Sequence, residues 1–194
     1  MSFGKKGFSN FAKFLAGDKL LFCYVLASYS NIYSINTMLI ALFQPDMAPN
    51  VGSIIRLSAC LRLDLHIIEP CGFPFDDKRM HRVAMDYGTL ASLTRHASWQ
   101  AFLDWRIATK AGRLVLLTTK GTQPYYQFTF AANDILLLGQ ESAGAPAFVH
   151  AAADARVNVP VFAPARSLSL VQAASIVAAE ALRQTGLFPA MEGA

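Results

Sequence analysis

An α/β domain built on a mainly parallel sheet is the fold class this sequence predicts, and three observations point to it. From Thr37 onward, short apolar runs alternate with stretches of helical period, the pattern of strands joined by helical crossovers. Runs such as Leu114 to Thr119 and Ile135 to Leu138 are strongly apolar, as buried strands are. Of the 194 residues, 54% are hydrophobic and 15% charged, which supplies a sizeable core and excludes a disordered chain.

Taken in order, Met38 to Phe43 reads as the first strand, and Gln44 to Pro49 as a loop broken by Pro45 and Pro49. Asn50 is expected to cap a helix running to about Arg62, its amide oxygen accepting an N–H of the first turn. Leu65 to Glu69 is the second strand, stopped by Pro70. Asp76 and Asp77 open a helix through Met85, their charges favourable at its positive end. A weaker strand is expected at Leu90 to Thr94, then a helix from Ser98 to about Thr109. Leu114 to Thr119 and Ile135 to Leu138 are the fourth and fifth strands, and Val157 to Phe162 the last. The alanine-rich stretch from Leu170 to Thr185 is the final helix, with Gly186 as its stop.

The net charge of +4 suggests a polyanionic partner until it is located. Residues 1–37 hold Lys5, Lys6, Lys13 and Lys19 against Asp18 alone, so +3 of it lies there. The other 157 residues carry 13 basic and 12 acidic side chains, so recognition of nucleic acid has to come from local clusters. Three cysteines, Cys23, Cys60 and Cys71, in no CxxC spacing suggest neither a disulfide framework nor a zinc ribbon, and fit a reducing, cytoplasmic setting. The apolar run Leu20 to Ala27 is far short of the roughly 20 residues of a membrane helix. Residues 1–37 are read as an N-terminal extension, optional or belonging to a wrongly assigned start, and 38–194 as the functional domain.

Several chemistries can be set aside. No GxGxxG, Walker A or GxSxG sequence is present. His66, His81, His96 and His150 lack metal-ligand spacing and read as core or surface histidines, so no metal is expected. No pair of carboxylates stands out for acid and base work. What remains is a trio of loops at strand ends: Pro49 to Arg56, Leu136 to Gly144, and Val159 to Ser169. In an open parallel sheet, ligands bind beyond the carboxyl ends of strands, where the second and third loops fall. Glycine there lets the backbone approach a flat ligand closely.

The ordered set NxGxIxR, HIIEPCGFPFDDKRMHR, LTTKG, LLLGQESAG and VPxxxxARSLSL resembles the SpoU class of SPOUT methyltransferases, in the short form of the TrmL group. The resemblance covers Met38 to about Gly186, and the first 37 residues have no counterpart. It implies a SPOUT-type α/β fold with a six-stranded sheet and a C-terminal trefoil knot, an exception to the rule that chains are unknotted. It implies S-adenosyl-L-methionine as methyl donor and, as acceptor, the ribose 2′-OH of the wobble nucleotide, cytidine or modified uridine, in the anticodon stem-loop of tRNA. A homodimer whose second subunit completes the site is also implied, with no membrane association.

By motif, Leu117, Gly139, Val159 and Ser167 match cofactor-binding positions. Arg56 matches the catalytic arginine, whose fixed charge suits it to orient the hydroxyl and stabilise developing oxyanion character. Glu141 matches the acidic place in the glycine loop, with a role in orienting Arg56 or another donor. RNA contacts are expected from Asn50 and Arg166, and from Lys78, Arg79 and Arg82 at helical spacing.

The sequence also departs from the pattern. Ser169 and Gln172 stand where asparagines are usual, and Ser169 cannot reproduce an amide's two-ended hydrogen bonding. Gln140, Ala143 and Ala145 differ as well. Two alternatives follow: methylation of ribosomal RNA, or an RNA-binding module with weakened catalysis.

Overall fold

The structure is a computed structural model and describes residues 38–75, 87 and 91–189. The elements run β1 (Leu39–Phe43), α1 (Ala48–Leu61), β2 (Asp64–Ile68), β3 (Leu93–His96), α2 (Trp99–Thr109), β4 (Leu114–Leu117), β5 (Gln123–Pro124), β6 (Ile135–Leu138), α3 (Ala147–Ala152), β7 (Ala155–Asn158) and α4 (Leu170–Thr185). They build one sheet in the order β3-β2-β1-β6-β4-β7-β5. Every neighbouring pair is parallel.

The parallel α/β class read from the sequence is the one observed, with seven strands in place of six. The extra strand is β5, two residues at the sheet edge that pair with Val157 and Asn158. A strand so short leaves no period to read. The last large strand was expected over Val157 to Phe162 but spans Ala155–Asn158, and Phe162 is 95% exposed. Its apolar run belongs to a loop, not to the sheet. The third strand is likewise later than expected, at Leu93–His96.

Asn50 is not the cap of α1. Met47 holds that place in extended backbone, and Ala48, Pro49 and Asn50 form the first turn. Proline's fixed φ and missing N–H are tolerated there, so the helix starts earlier than Asn50. By contrast α4 spans Leu170–Thr185 as expected, and Gly186 ends it at φ 69° in the left-handed region. The helix placed after Asp76 and Asp77 lies outside the described residues, as do Lys78, Arg79 and Arg82.

Alternation along the buried strands gives the sheet two covered faces. Ile40, Leu42, Leu65, Ile67, Val115, Leu136 and Leu138 share a cluster with Val51, Ile54 and Ile55 of α1 and Ala174, Val177, Ala178 and Ala181 of α4. The small alanines let α4 lie close against this face and against α1. Phe43 points to the opposite face, where its ring meets Trp99 of α2 at 5.6 Å and Phe148 of α3 at 5.9 Å. The two bodies of side chains hold the strands' carboxyl ends in fixed relation.

Buried beneath α2 are two histidines. His66 Nδ1 and His96 Nε2 lie 2.8 Å apart, so one ring donates to the other, and both pack on Phe102 and Trp105. Burial, with His96 adding to it, pushes His66 down to about 4 from an ordinary value of 6.5. Burial lowers His96 as well. The unfolded chain therefore takes up protons that the native state refuses. The resulting stability is complete above pH 6.5 and lost as pH falls toward 4. Urea titrations are expected to show about 3 kcal/mol less unfolding free energy at the bottom of this window from His66 alone, with His66→Leu flattening the loss. An unchanged slope in His66→Leu would contradict the assignment.

Candidate active site

Because β6 lies between β1 and β4, with β7 beyond β4, the loops leaving β4, β6 and β7 converge at one end of the sheet. They enclose a cavity of about 340 Å³. Its floor and sides come from Leu117 to Lys120, Leu138 to Glu141, Ala143 to Ala145 and Val159. Ser167, Leu168, Leu170 and Ala173 close it from the start of α4, and His150 reaches it from α3. Burial, then Lys120 and Arg156, lowers His150 from its ordinary value.

The glycine loop is shaped by its own backbone. Gln140 and Gly144 exchange hydrogen bonds at 3.1 and 2.9 Å, and Gly144 has φ 70°, which disfavours any other residue. Where the loop closes, a Cβ on Gly139 would stand 2.5 Å from the Ala145 nitrogen. Only glycine lets the two legs of the loop come this near. The wall they form is therefore backbone and small side chains, suited to a flat ligand read by N–H and C=O groups.

Behind this wall sits a polar network. Glu141 Oε2 accepts the Asp46 N–H at 3.0 Å, and Oε1 accepts the Asn50 side-chain amide at 3.1 Å. Asp46 Oδ2 accepts the Ser142 N–H at 3.2 Å and also the Ser142 hydroxyl. The two carboxyl groups lie within hydrogen-bonding reach and titrate as a pair. Hydrogen bonds with Glu141 and Ser142 hold Asp46 down to about 2, whereas burial and then Asp46 push Glu141 up from its ordinary value. Asp46 Oδ1 is buried with no hydrogen-bond partner among the described residues.

Of the residues singled out from the sequence, Leu117, Gly139, Val159, Ser167 and Glu141 all line the cavity. Asn50 reaches the same place indirectly through Glu141. Arg56 and Arg166 are exposed and do not line it. Arg56 stands one and a half turns or so along α1 from Asn50, by helical pitch, with its guanidinium 4.8 Å from the Tyr87 ring centre. The sequence reading missed Asp46 and its pairing with Glu141, which lie 95 residues apart. Nothing local marks such a pair, since it exists only because β1 and β6 are neighbours.

Ser169 and Gln172, read as departures from a binding motif, have a local role. The Ser169 hydroxyl accepts the Gln172 N–H at 3.2 Å and the Gln172 side chain accepts the Ser169 N–H at 3.1 Å. This capping box starts α4 at the cavity's edge. A serine with glutamine three residues on is its sequence signature.

The model of the SpoU rRNA Methylase family matches residues 37–179. A tRNA (cytidine(34)-2'-O)-methyltransferase of Beijerinckia indica is 53% identical over 148 residues, 76% of this chain and 92% of that protein. The protein of the same name from Escherichia coli is 42% identical over 149 residues, 76% and 93% of the two chains. Among solved structures, one described as giving insights into the 2-OH methylation of C/U34 on tRNA superposes with TM-score 0.71 at 34% identity, covering 77% of this chain and 97% of that one. The SpoU methyltransferase AviRb from Streptomyces viridochromogenes, in complex with AdoMet, superposes with TM-score 0.69 at 26% identity, covering 77% and 60%. Sheet, glycine loop and sequence thus agree that this chain belongs to the SpoU family of RNA methyltransferases.

Proposed function

We propose that the chain transfers a methyl group from S-adenosyl-L-methionine to the ribose 2′-OH of the wobble nucleotide, cytidine or modified uridine at position 34, in the anticodon stem-loop of tRNA. The observation that carries this is the cavity built by the ends of β4, β6 and β7 and the start of α4. The residues present fit the cofactor. Leu117, Leu138, Val159, Leu170 and Ala173 supply an apolar slot, and the backbone at Leu117, Gly139 and Val159 supplies edge contacts for a flat base. Ser167 adds a hydroxyl at the rim. When bound, S-adenosyl-L-methionine supplies an electrophilic methyl group on a sulfonium.

The chain's own residues do the rest. Arg56 carries a permanent charge with which to hold the ribose hydroxyl and stabilise the negative charge that develops on its oxygen. Glu141 fixes Asn50 at the head of the same helix, so the carboxylate positions α1 against the glycine loop. Asn50, Arg166, Lys78, Arg79 and Arg82 are the RNA contacts in this reading, the last three on the segment after Phe75. Arg56 and Arg166 are exposed on a single chain, which supports a homodimer in which one copy's arginine serves its partner's cavity. The working domain in this reading is 38–194, and residues 1–37 are an extension it does not need. A reducing cytoplasm suits the free thiols Cys60 and Cys71. No helix among the described residues is long and apolar enough to cross a membrane.

Ribosomal RNA as substrate has the family model's description in its favour. The relatives at 42% and 53% identity instead carry the tRNA name over nine-tenths of their length. The weakened-module alternative rests on Ser169 and Gln172, which build the capping box of α4.

Methyl incorporation into tRNA by purified protein tests the assignment. Arg56→Ala is expected to lower kcat by about 100-fold or more, the scale of removing one oxyanion donor, with cofactor affinity by calorimetry unchanged. Full turnover in that variant would remove Arg56 from the chemistry. A chain beginning at Met38 is expected to keep both cofactor affinity and turnover. Loss of tRNA affinity on that truncation would instead assign the +3 of residues 1–37 a part in binding.

A further inference from the structure

Three loops leave the carboxyl ends of the adjacent strands β2, β1 and β6 and meet at one carboxylate, Asp46. On the β6 side, its Oδ2 accepts from the N–H and the hydroxyl of Ser142, and its own N–H donates to Glu141 Oε2 at 3.0 Å. On the β2 side, the Gly72 N–H donates to the Pro45 carbonyl at 2.9 Å. A Cβ on Gly72 would stand 2.7 Å from Asp46 Cβ and 2.8 Å from its Cα, closer than such atoms pack. Gly72 therefore backs Asp46 with no room to spare. A longer contact from Gln140 Nε2 to Gln44 Oε1, at 3.5 Å, runs alongside.

Asp46 lines no part of the cavity, yet Ser142 stands between Glu141 and Ala143, which do. An ionised carboxylate holding both donors of Ser142 decides where the tip of the glycine loop sits, because hydrogen bonds to a charged acceptor are about twice as strong as neutral ones. The same residue's N–H shares Glu141 with Asn50, the first turn of the helix that carries Arg56. We infer that Asp46 is a positioning residue that locks the glycine loop to the start of α1, so that cofactor affinity and turnover on RNA both depend on it. This rests on the function proposed above and adds a residue to it.

The test compares Asp46→Ala, Asp46→Asn and Gly72→Ala with the parent chain, using S-adenosyl-L-methionine calorimetry and steady-state tRNA methylation. Asp46→Ala is expected to raise the cofactor Kd and KM about tenfold and to lower kcat at saturating cofactor, the scale of losing a charged hydrogen-bond acceptor. Asp46→Asn keeps an oxygen for Ser142 and an amide for Glu141, and is expected to stay within about threefold of the parent. Gly72→Ala, which pushes on Asp46 from behind, is expected to shift Kd in the same direction as Asp46→Ala. A role in stability alone would lower the active fraction and leave Kd and KM where they were. Parent-like Kd and KM in folded Asp46→Ala would overturn the inference while leaving the proposed function standing. Should Asp46→Ala not fold, Ser142→Ala decides: cofactor binding weakened about threefold supports the inference, and unchanged binding overturns it. A parent chain that binds no S-adenosyl-L-methionine would remove the proposed function and the inference together.

Discussion

All strands of this sheet run in one direction, and the order in which they lie determines what their ends can build. With β6 inserted between β1 and β4, the loop Gly139 to Gly144 is flanked by the turn after β1 on one side and by the ends of β4 and β7 on the other. The cavity and the Asp46–Glu141 network are the two sides of that single loop. Moving β6 to the sheet edge would leave the same residues with no neighbours to work on. Two buried bodies of side chains, one joining a sheet face to α1 and α4 and one joining the other face to α2, keep the order fixed.

Two kinds of local chemistry sharpen that arrangement. Glycine is required where backbone meets backbone, at Gly139 against Ala145, and where the chain turns with positive φ, at Gly144. Charge is required where one loop must hold another, at Asp46 and Glu141. The paired carboxyl groups settle unequally, with Asp46 ionised more readily than an ordinary carboxylate and Glu141 less so.

The fold class was legible in the sequence because it depends on runs of residues close together in the chain. Apolar strands at β1, β4 and β6 stand out by composition, and the C-terminal helix by its length and its Gly186 stop. Leu117, Gly139, Val159 and Ser167, which line the cavity, were singled out because the motifs around them resemble those of a known family. The start of α1 was misplaced because proline was read as a breaker, although the first turn of a helix accepts it. Phe162 was counted into a strand because hydrophobicity cannot tell a buried strand from an exposed apolar loop. Asp46 was invisible for a different reason. Its partners are Glu141 and Ser142, and no local pattern records a contact made across 95 residues.

If the cavity serves methyl transfer to one ribose of tRNA, that ribose carries the mark in the cell. The most direct measurement is mass-spectrometric mapping of 2′-O-methylated nucleotides in tRNA from cells with and without this gene. The ribose methyl at position 34 is expected to be present with the gene, to disappear on its deletion and to return with the intact chain. A deletion strain whose tRNA keeps that methyl, with the missing modification found in ribosomal RNA instead, would contradict it.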